Sequence, residues 1–84
     1  MAARHQKTLA LIFGNPARSD VNWADIMSLL QHLGAEISEG KGSRVRIALN
    51  GIREVFHRPH PGKETDEGAL KSMRRFLAEA GVKP

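Results

Sequence analysis

Two short runs hold the side chains that can do chemistry. They are Gly40-Lys41-Gly42-Ser43-Arg44-Val45-Arg46-Ile47 and His57-Arg58-Pro59-His60-Pro61-Gly62-Lys63-Glu64. Guanidinium, ammonium and hydroxyl groups donate to phosphate oxygens, and an imidazole moves protons near neutral pH. An Asn50-Gly51 pair between the runs folds the second back onto the first. The expected chemistry is therefore the handling of a phosphodiester, with RNA as the polymer. Cleaving RNA without a metal takes a base for the ribose 2′-OH proton, a cation for the charged phosphorane and an acid for the leaving 5′-oxygen. Arg44, Arg46 and His57 on one sheet face, with Ser43 at its start, can supply these roles. His60, in the loop that follows, is a second imidazole. The expected nucleic-acid contacts are Lys41, Ser43, Arg46, Arg58, Lys63 and Arg74.

Other chemistries fit less well. His57 and His60 have H-x-x-H spacing, but zinc needs at least a third protein ligand, and His5 and His32 lie in distant elements. No metal site or cofactor is expected. A nucleophilic Ser43 would need a base and an acidic orienter, and the adjacent Arg44 is a poor base. Ser43 is expected instead to donate to phosphate or to cap the loop. Gly40-Lys41-Gly42-Ser43 is too short for a phosphate-binding P-loop, and no helix follows it.

The elements that hold these residues can be read from spacing. Ser43 to Leu49 alternates, with Val45, Ile47 and Leu49 on one side and Arg44, Arg46 and Ala48 on the other. Asn-Gly is a strong signal for a two-residue type I′ hairpin turn, so Ile52 to Arg58 is the returning strand. That turn sets Leu49 against Ile52, Ile47 against Glu54 and Val45 against Phe56. On the opposite side it sets Ala48 against Arg53, Arg46 against Val55 and Arg44 against His57. The Arg44 and His57 Cβ atoms should then lie about 4.5–5.5 Å apart. Glu54 falls on the apolar side, which suggests a place near a sheet edge. Ala35 to Glu39 has weaker strand character.

Helices flank these strands. Asn22 is a good N-cap, with Asp25 placed for a capping box and Val21 and Ile26 for a hydrophobic staple. Trp23, Ile26, Met27, Leu30 and Leu33 make a helical core stripe that Gly34 ends. A last helix runs from about Asp66 to Ala80, capped by Thr65 or Asp66, with Leu70, Met73, Leu77 and Ala80 as its core stripe. Glu67, Lys71 and Arg75 form an exposed i, i+4 ladder, which leaves Arg74 as the better nucleic-acid contact on that helix. Thr8 to Phe13 reads as a short helix stopped by Gly14, Asn15 and Pro16, since Gly accepts left-handed angles and Pro cannot continue a helix. The expected fold is α+β, a two-layer sandwich. Residues 1–20 are an N-terminal extension and residues 21–84 the main domain.

Composition sets outer bounds. Eighty-four residues make one domain. Such a chain buries only about 60–65% of its unfolded surface, so its chemistry should lie on the surface or be shared with a partner. The absence of Cys excludes disulfides and thiolate zinc sites, and fits a reducing cytoplasm. No membrane span or secretory signal is expected. Lys and Arg outnumber Asp and Glu by 13 to 9, and the excess is uneven. Between Gly40 and Lys63 there are six basic residues and one acid, Glu54. A local basic stripe of this kind concentrates a polyanion near it.

Taken in order, several of these pieces look like one family. They are a helix ending in Leu33-Gly34, G-x-G-S before a strand, the P-H-P and Gly-Lys-Glu run, and a last helix ending in Ala80-Gly81. From about Val21 to Val82 the chain resembles the HicA family of mRNA interferase toxins, from bacterial toxin–antitoxin pairs. The resemblance implies an α-β-β-β-α fold like double-stranded-RNA-binding domains, mRNA as substrate and a HicB-type antitoxin that covers this face in a hetero-oligomer. Members carry a catalytic His directly after the Gly-Ser of this motif, where this chain has Arg44. Three readings follow. His57 takes the imidazole role with Arg44 as phosphate clamp; or His60, which matches the family's P-H-P histidine, does so; or the chain binds RNA and its antitoxin without cutting. The leading expectation is a metal-independent endoribonuclease, and the alternative is a non-catalytic RNA-binding or antitoxin-binding module. A part of a larger assembly, such as a ribosome-associated protein, fits less well, because such proteins usually carry a stronger net charge.

Overall fold

The computed structural model describes residues 2–14, 21–60 and 64–84. In chain order the elements are α1 (Ala3–Phe13), α2 (Trp23–His32), β1 (Glu36–Glu39), β2 (Arg44–Leu49), β3 (Ile52–His57) and α3 (Glu67–Glu79). The strands form one antiparallel sheet in the order β1-β2-β3. This is the expected α+β arrangement, and α2 to α3 give the α-β-β-β-α order of a double-stranded-RNA-binding-domain-like fold.

The hairpin shows why the sheet has this register. Asn50 and Gly51 both take positive φ, 51° and 83°, as a type I′ turn requires. The strands then pair as expected, from Leu49–Ile52 at the turn to Arg44–His57 at the open end. Val45, Ile47, Leu49 and Phe56 are buried beneath the helices, while Arg44, Arg46, Arg53, Val55 and His57 are exposed on the other side. Glu54 is half-buried on β3, an edge strand, which accounts for a carboxylate on the apolar side. Asn50 has a further role: its Nδ2 donates to the Ala80 carbonyl at 2.8 Å and ties the turn to the end of α3.

The helix caps are those the residue types favour. Asn22 accepts from the Ala24 amide at 2.8 Å, and Asp66 accepts from the Ala69 amide at 2.7 Å. Of the two residues considered for the α3 cap, it is Asp66 that caps. Thr65 is buried and bridges to Val21 through its amide, at 2.8 Å from the Val21 carbonyl. The core takes Ile26, Leu29 and Leu30 from α2 and Leu70, Met73, Phe76 and Leu77 from α3. Leu29 and Phe76 extend the expected stripes. Phe76 is fully buried and meets Phe56 edge to face, with ring centroids 5.7 Å apart. Such a pair adds about 0.5–1.5 kcal/mol beyond the area it buries.

The N-terminal helix is longer than the apolar run suggested. It begins at Ala3, and His5, Thr8, Leu9 and Ile12 form its buried face against α2 and α3. Its end differs from expectation too. Gly14 has φ −66° and ψ 153°, an extended rather than a left-handed residue. The last carbonyls are met from outside: Arg74 of α3 donates from Nε to Ile12 O at 2.9 Å and from Nη2 to Gly14 O. Asn15 and Pro16, the other expected stop signals, lie outside the described residues.

Candidate phosphodiester site

The open end of the β2–β3 hairpin gathers the first group of expected site residues. The turn before β2 is built by its glycines. Gly42 has φ 65°, which side chains rarely adopt, and a Cβ on Gly40 would stand 3.3 Å from Arg44 Cβ. The Gly40 amide donates to the Arg44 carbonyl at 2.8 Å, and the Arg44 amide to the Lys41 carbonyl at 3.3 Å. Lys41 and Ser43 are therefore displayed on a short, exposed turn. Across from it, the Arg58 amide donates to the Ser43 carbonyl at 2.7 Å and extends the ladder one step past the strand.

Within this frame Arg44 stands opposite His57, and both are exposed. Ser43 Oγ lies 3.3 Å from His57 Nδ1, a contact that spacing alone did not suggest. Serine acts here as donor or acceptor according to the imidazole tautomer. With Nδ1 occupied by the hydroxyl, Nε2 is the ring nitrogen left without this contact. When Nδ1–H donates to Ser43, Nε2 is a proton acceptor; when Ser43 donates to Nδ1, Nε2–H is a donor. One hydroxyl is thus compatible with either tautomer of the ring. It also gives Ser43 the basic neighbour that Arg44 cannot be.

The remaining expected contacts are scattered. Arg46 is exposed one pleat from Arg44, about 6.8 Å further along the strand. The Arg58 guanidinium reaches Glu39 at 2.5 Å and joins the two edge strands across β2. That pair is largely exposed, so it contributes little to stability and can open. His60 is exposed in the segment leaving β3, and Lys63 lies outside the described residues. Arg74 is turned away from this group, because its guanidinium is committed to the α1 carbonyls. The i, i+4 ladder that diverted attention to Arg74 does form between Glu67 and Lys71, at 3.1 Å. Among the described residues, no three His, Asp or Glu side chains converge as a metal-binding group. No helix in the described residues is long and apolar enough to cross a membrane.

Residues 23–82 match the family described as HicA toxin of bacterial toxin-antitoxin. The chain belongs to the HicA toxin family. A protein of Pseudomonas fluorescens (strain Pf0-1) named "Probable mRNA interferase HicA" is 35% identical over 57 residues, covering 68% of this chain and 93% of that relative. No solved structure matches. The matched span holds the Gly-Ser turn, Arg44 and His57, and leaves α1 outside it.

Proposed function

We propose that the chain is an endoribonuclease toxin that cuts mRNA without a metal ion in the bacterial cytoplasm, and that a HicB-type antitoxin neutralises it. Membership of the HicA family and the likeness to a relative named as an mRNA interferase support the substrate and the reaction. The observation that carries the residue assignment is the exposed His57, which meets Ser43 and stands opposite Arg44 across the hairpin.

In this reading His57 Nε2 takes the proton from a ribose 2′-OH as that oxygen attacks phosphorus. Arg44 holds the non-bridging oxygens as charge builds on them, and a guanidinium matches two such oxygens at once. The P–O5′ bond breaks, and the leaving oxygen takes a proton from a second donor, for which His60 is this chain's candidate. Products are a 2′,3′-cyclic phosphate and a free 5′-hydroxyl. Ser43 keeps the imidazole ring in place. Lys41, Arg46, Arg58 and Lys63 draw in the RNA backbone, and Arg58 does so when it leaves Glu39.

A second reading has one observation in its favour: Arg44 stands where the resemblance implies a catalytic histidine. In that reading the chain binds RNA and antitoxin and does not cut. Expression of variants in bacterial cells separates the two. His57→Ala relieves growth arrest while the purified variant keeps its fold. Arrest that survives in His57→Ala and is abolished in His60→Ala moves the site to the loop. Arrest that survives the loss of both imidazoles contradicts imidazole catalysis.

A further inference from the structure

The side of the sheet away from the helices carries Arg44, Arg46 and His57 and also Glu36, Arg53 and Val55, which the proposed cleavage does not use. They fall in rows set by the register. One row is Glu36, Ala48 and Arg53, and the next is Ser38, Arg46 and Val55. The last is Arg44 and His57, with Gly40 opposite Arg44 and offering no side chain. Small residues at the centre and on β1 leave a shallow hollow of about 330 Å³ between Glu36 and Ser38 on one rim and Arg46, Arg53 and Val55 on the other. That volume is at the lower end of small-molecule sites. Val55, half exposed, is the large apolar side chain most open to solvent among the described residues.

The polarity of this hollow is uneven. Arg46 and Arg53 put two cations on the β2–β3 side, where Glu54 also lines the hollow; Arg46 is in the row next to Arg44 and His57, and Arg53 is one row further. Glu36 puts one acceptor-only carboxylate on the β1 side. A polyanion crossing the hollow would keep its phosphates by the arginines and turn another part towards the carboxylate. Val55 and Ala48 supply an apolar floor for a ring. This combination of backbone cations, apolar floor and one base-edge acceptor fits a nucleotide of a single strand better than a protein surface.

We propose that this hollow is a nucleotide subsite beside the scissile phosphate, in which Arg53 and Arg46 hold the RNA backbone and Glu36 reads the base edge. The inference rests on the ribonuclease reading and extends it to substrate selection. A carboxylate accepts from an exocyclic amino group, as on cytosine, and repels the carbonyl edge of uracil. The subsite therefore favours an amino-bearing base one position from the cut. Arg53 is the informative residue, because it lies two rows from His57 and takes no part in the proton transfers.

The test uses the full chain and RNA oligonucleotides that differ at one position near the cut. Arg53→Ala is expected to weaken RNA binding about ten-fold and to lower the salt dependence of binding by about one phosphate contact. It raises KM more than it lowers kcat, whereas His57→Ala does the reverse. Glu36→Gln is expected to reduce the discrimination between cytosine and uracil at one position about ten-fold. Wild-type affinity and salt slope in Arg53→Ala, with cleavage intact, would overturn the subsite and leave the ribonuclease reading standing. So would an Arg53→Ala effect confined to antitoxin binding. Failure of the wild-type protein to bind or cut any RNA would overturn both.

Discussion

At the open end of the sheet, His57 is exposed with Ser43 Oγ 3.3 Å from Nδ1. Between α1 and α2, His5 is buried, stacked on His32 with ring centroids 4.8 Å apart, and its Nδ1 has no hydrogen-bond partner among the described residues. The side chain is the same, and the surroundings are opposite. His57 stands open to solvent beside a small hydroxyl. Burial of His5, together with the nearby His32 and Arg4, lowers its pKa below the ordinary value of 6.5, with Asp25 opposing weakly. There the charged form is disfavoured, and the ring serves as packing. The two arginines teach the same lesson. Arg44 is exposed beside the imidazole, while Arg74 spends its donors on the end of α1.

Several changes sharpen the contrast between an exposed end and a packed end. Ile12 is fully buried in α1, so Ile12→Ala is expected to cost about 2–5 kcal/mol in chemical denaturation and to leave the hairpin residues untouched. Arg74→Ala removes a charged donor from two carbonyls and is expected to cost about 1.5–3 kcal/mol. RNA affinity in that variant, measured below its unfolding transition, should stay at the wild-type level. A large loss of affinity with full stability would return Arg74 to the nucleic-acid surface.

His5 binds a proton more readily in the unfolded chain than in the folded one, because its folded pKa is the lower. Stability is then fully present above about pH 6.5 and declines as pH falls below it. In His5→Leu that decline should flatten in denaturation curves taken across this range. An unchanged slope would mean that other groups carry it. The smallest effect concerns Ser43. Ser43→Ala removes one ordinary hydrogen bond to the ring, so kcat should fall about 2- to 10-fold with little change in melting temperature.

Much of the frame was legible because a few residues admit few structures. Asn50-Gly51 requires a type I′ turn, and the turn fixes every cross-strand pair down to Arg44 and His57. Asn22 and Asp66 capped as their side chains allow. The start of α1 was less visible, since Ala3 to Lys7 is polar and its helix depends on what His5 and Thr8 pack against. Phe76 fits the same spacing, three residues after Met73 and four before Ala80, so the α3 stripe is one residue wider than Leu70, Met73, Leu77 and Ala80 alone. The contacts of Arg74, like the start of α1, were hidden. A ladder on its own helix was visible, and two carbonyls about sixty residues away were not. The Ser43–His57 contact lay beyond strand pairing, because Ser43 sits in the turn before β2, where side-chain direction is not set by alternation.

Catalysis by the exposed imidazole is tested most directly by the cleavage rate of labelled RNA in chelator, from about pH 5 to about pH 8, for the wild-type protein and His57→Ala. The expected result is a bell-shaped profile for the wild type and a rate lower by about 10²–10⁴-fold for the folded variant. Wild-type cleavage by His57→Ala across that range would contradict it.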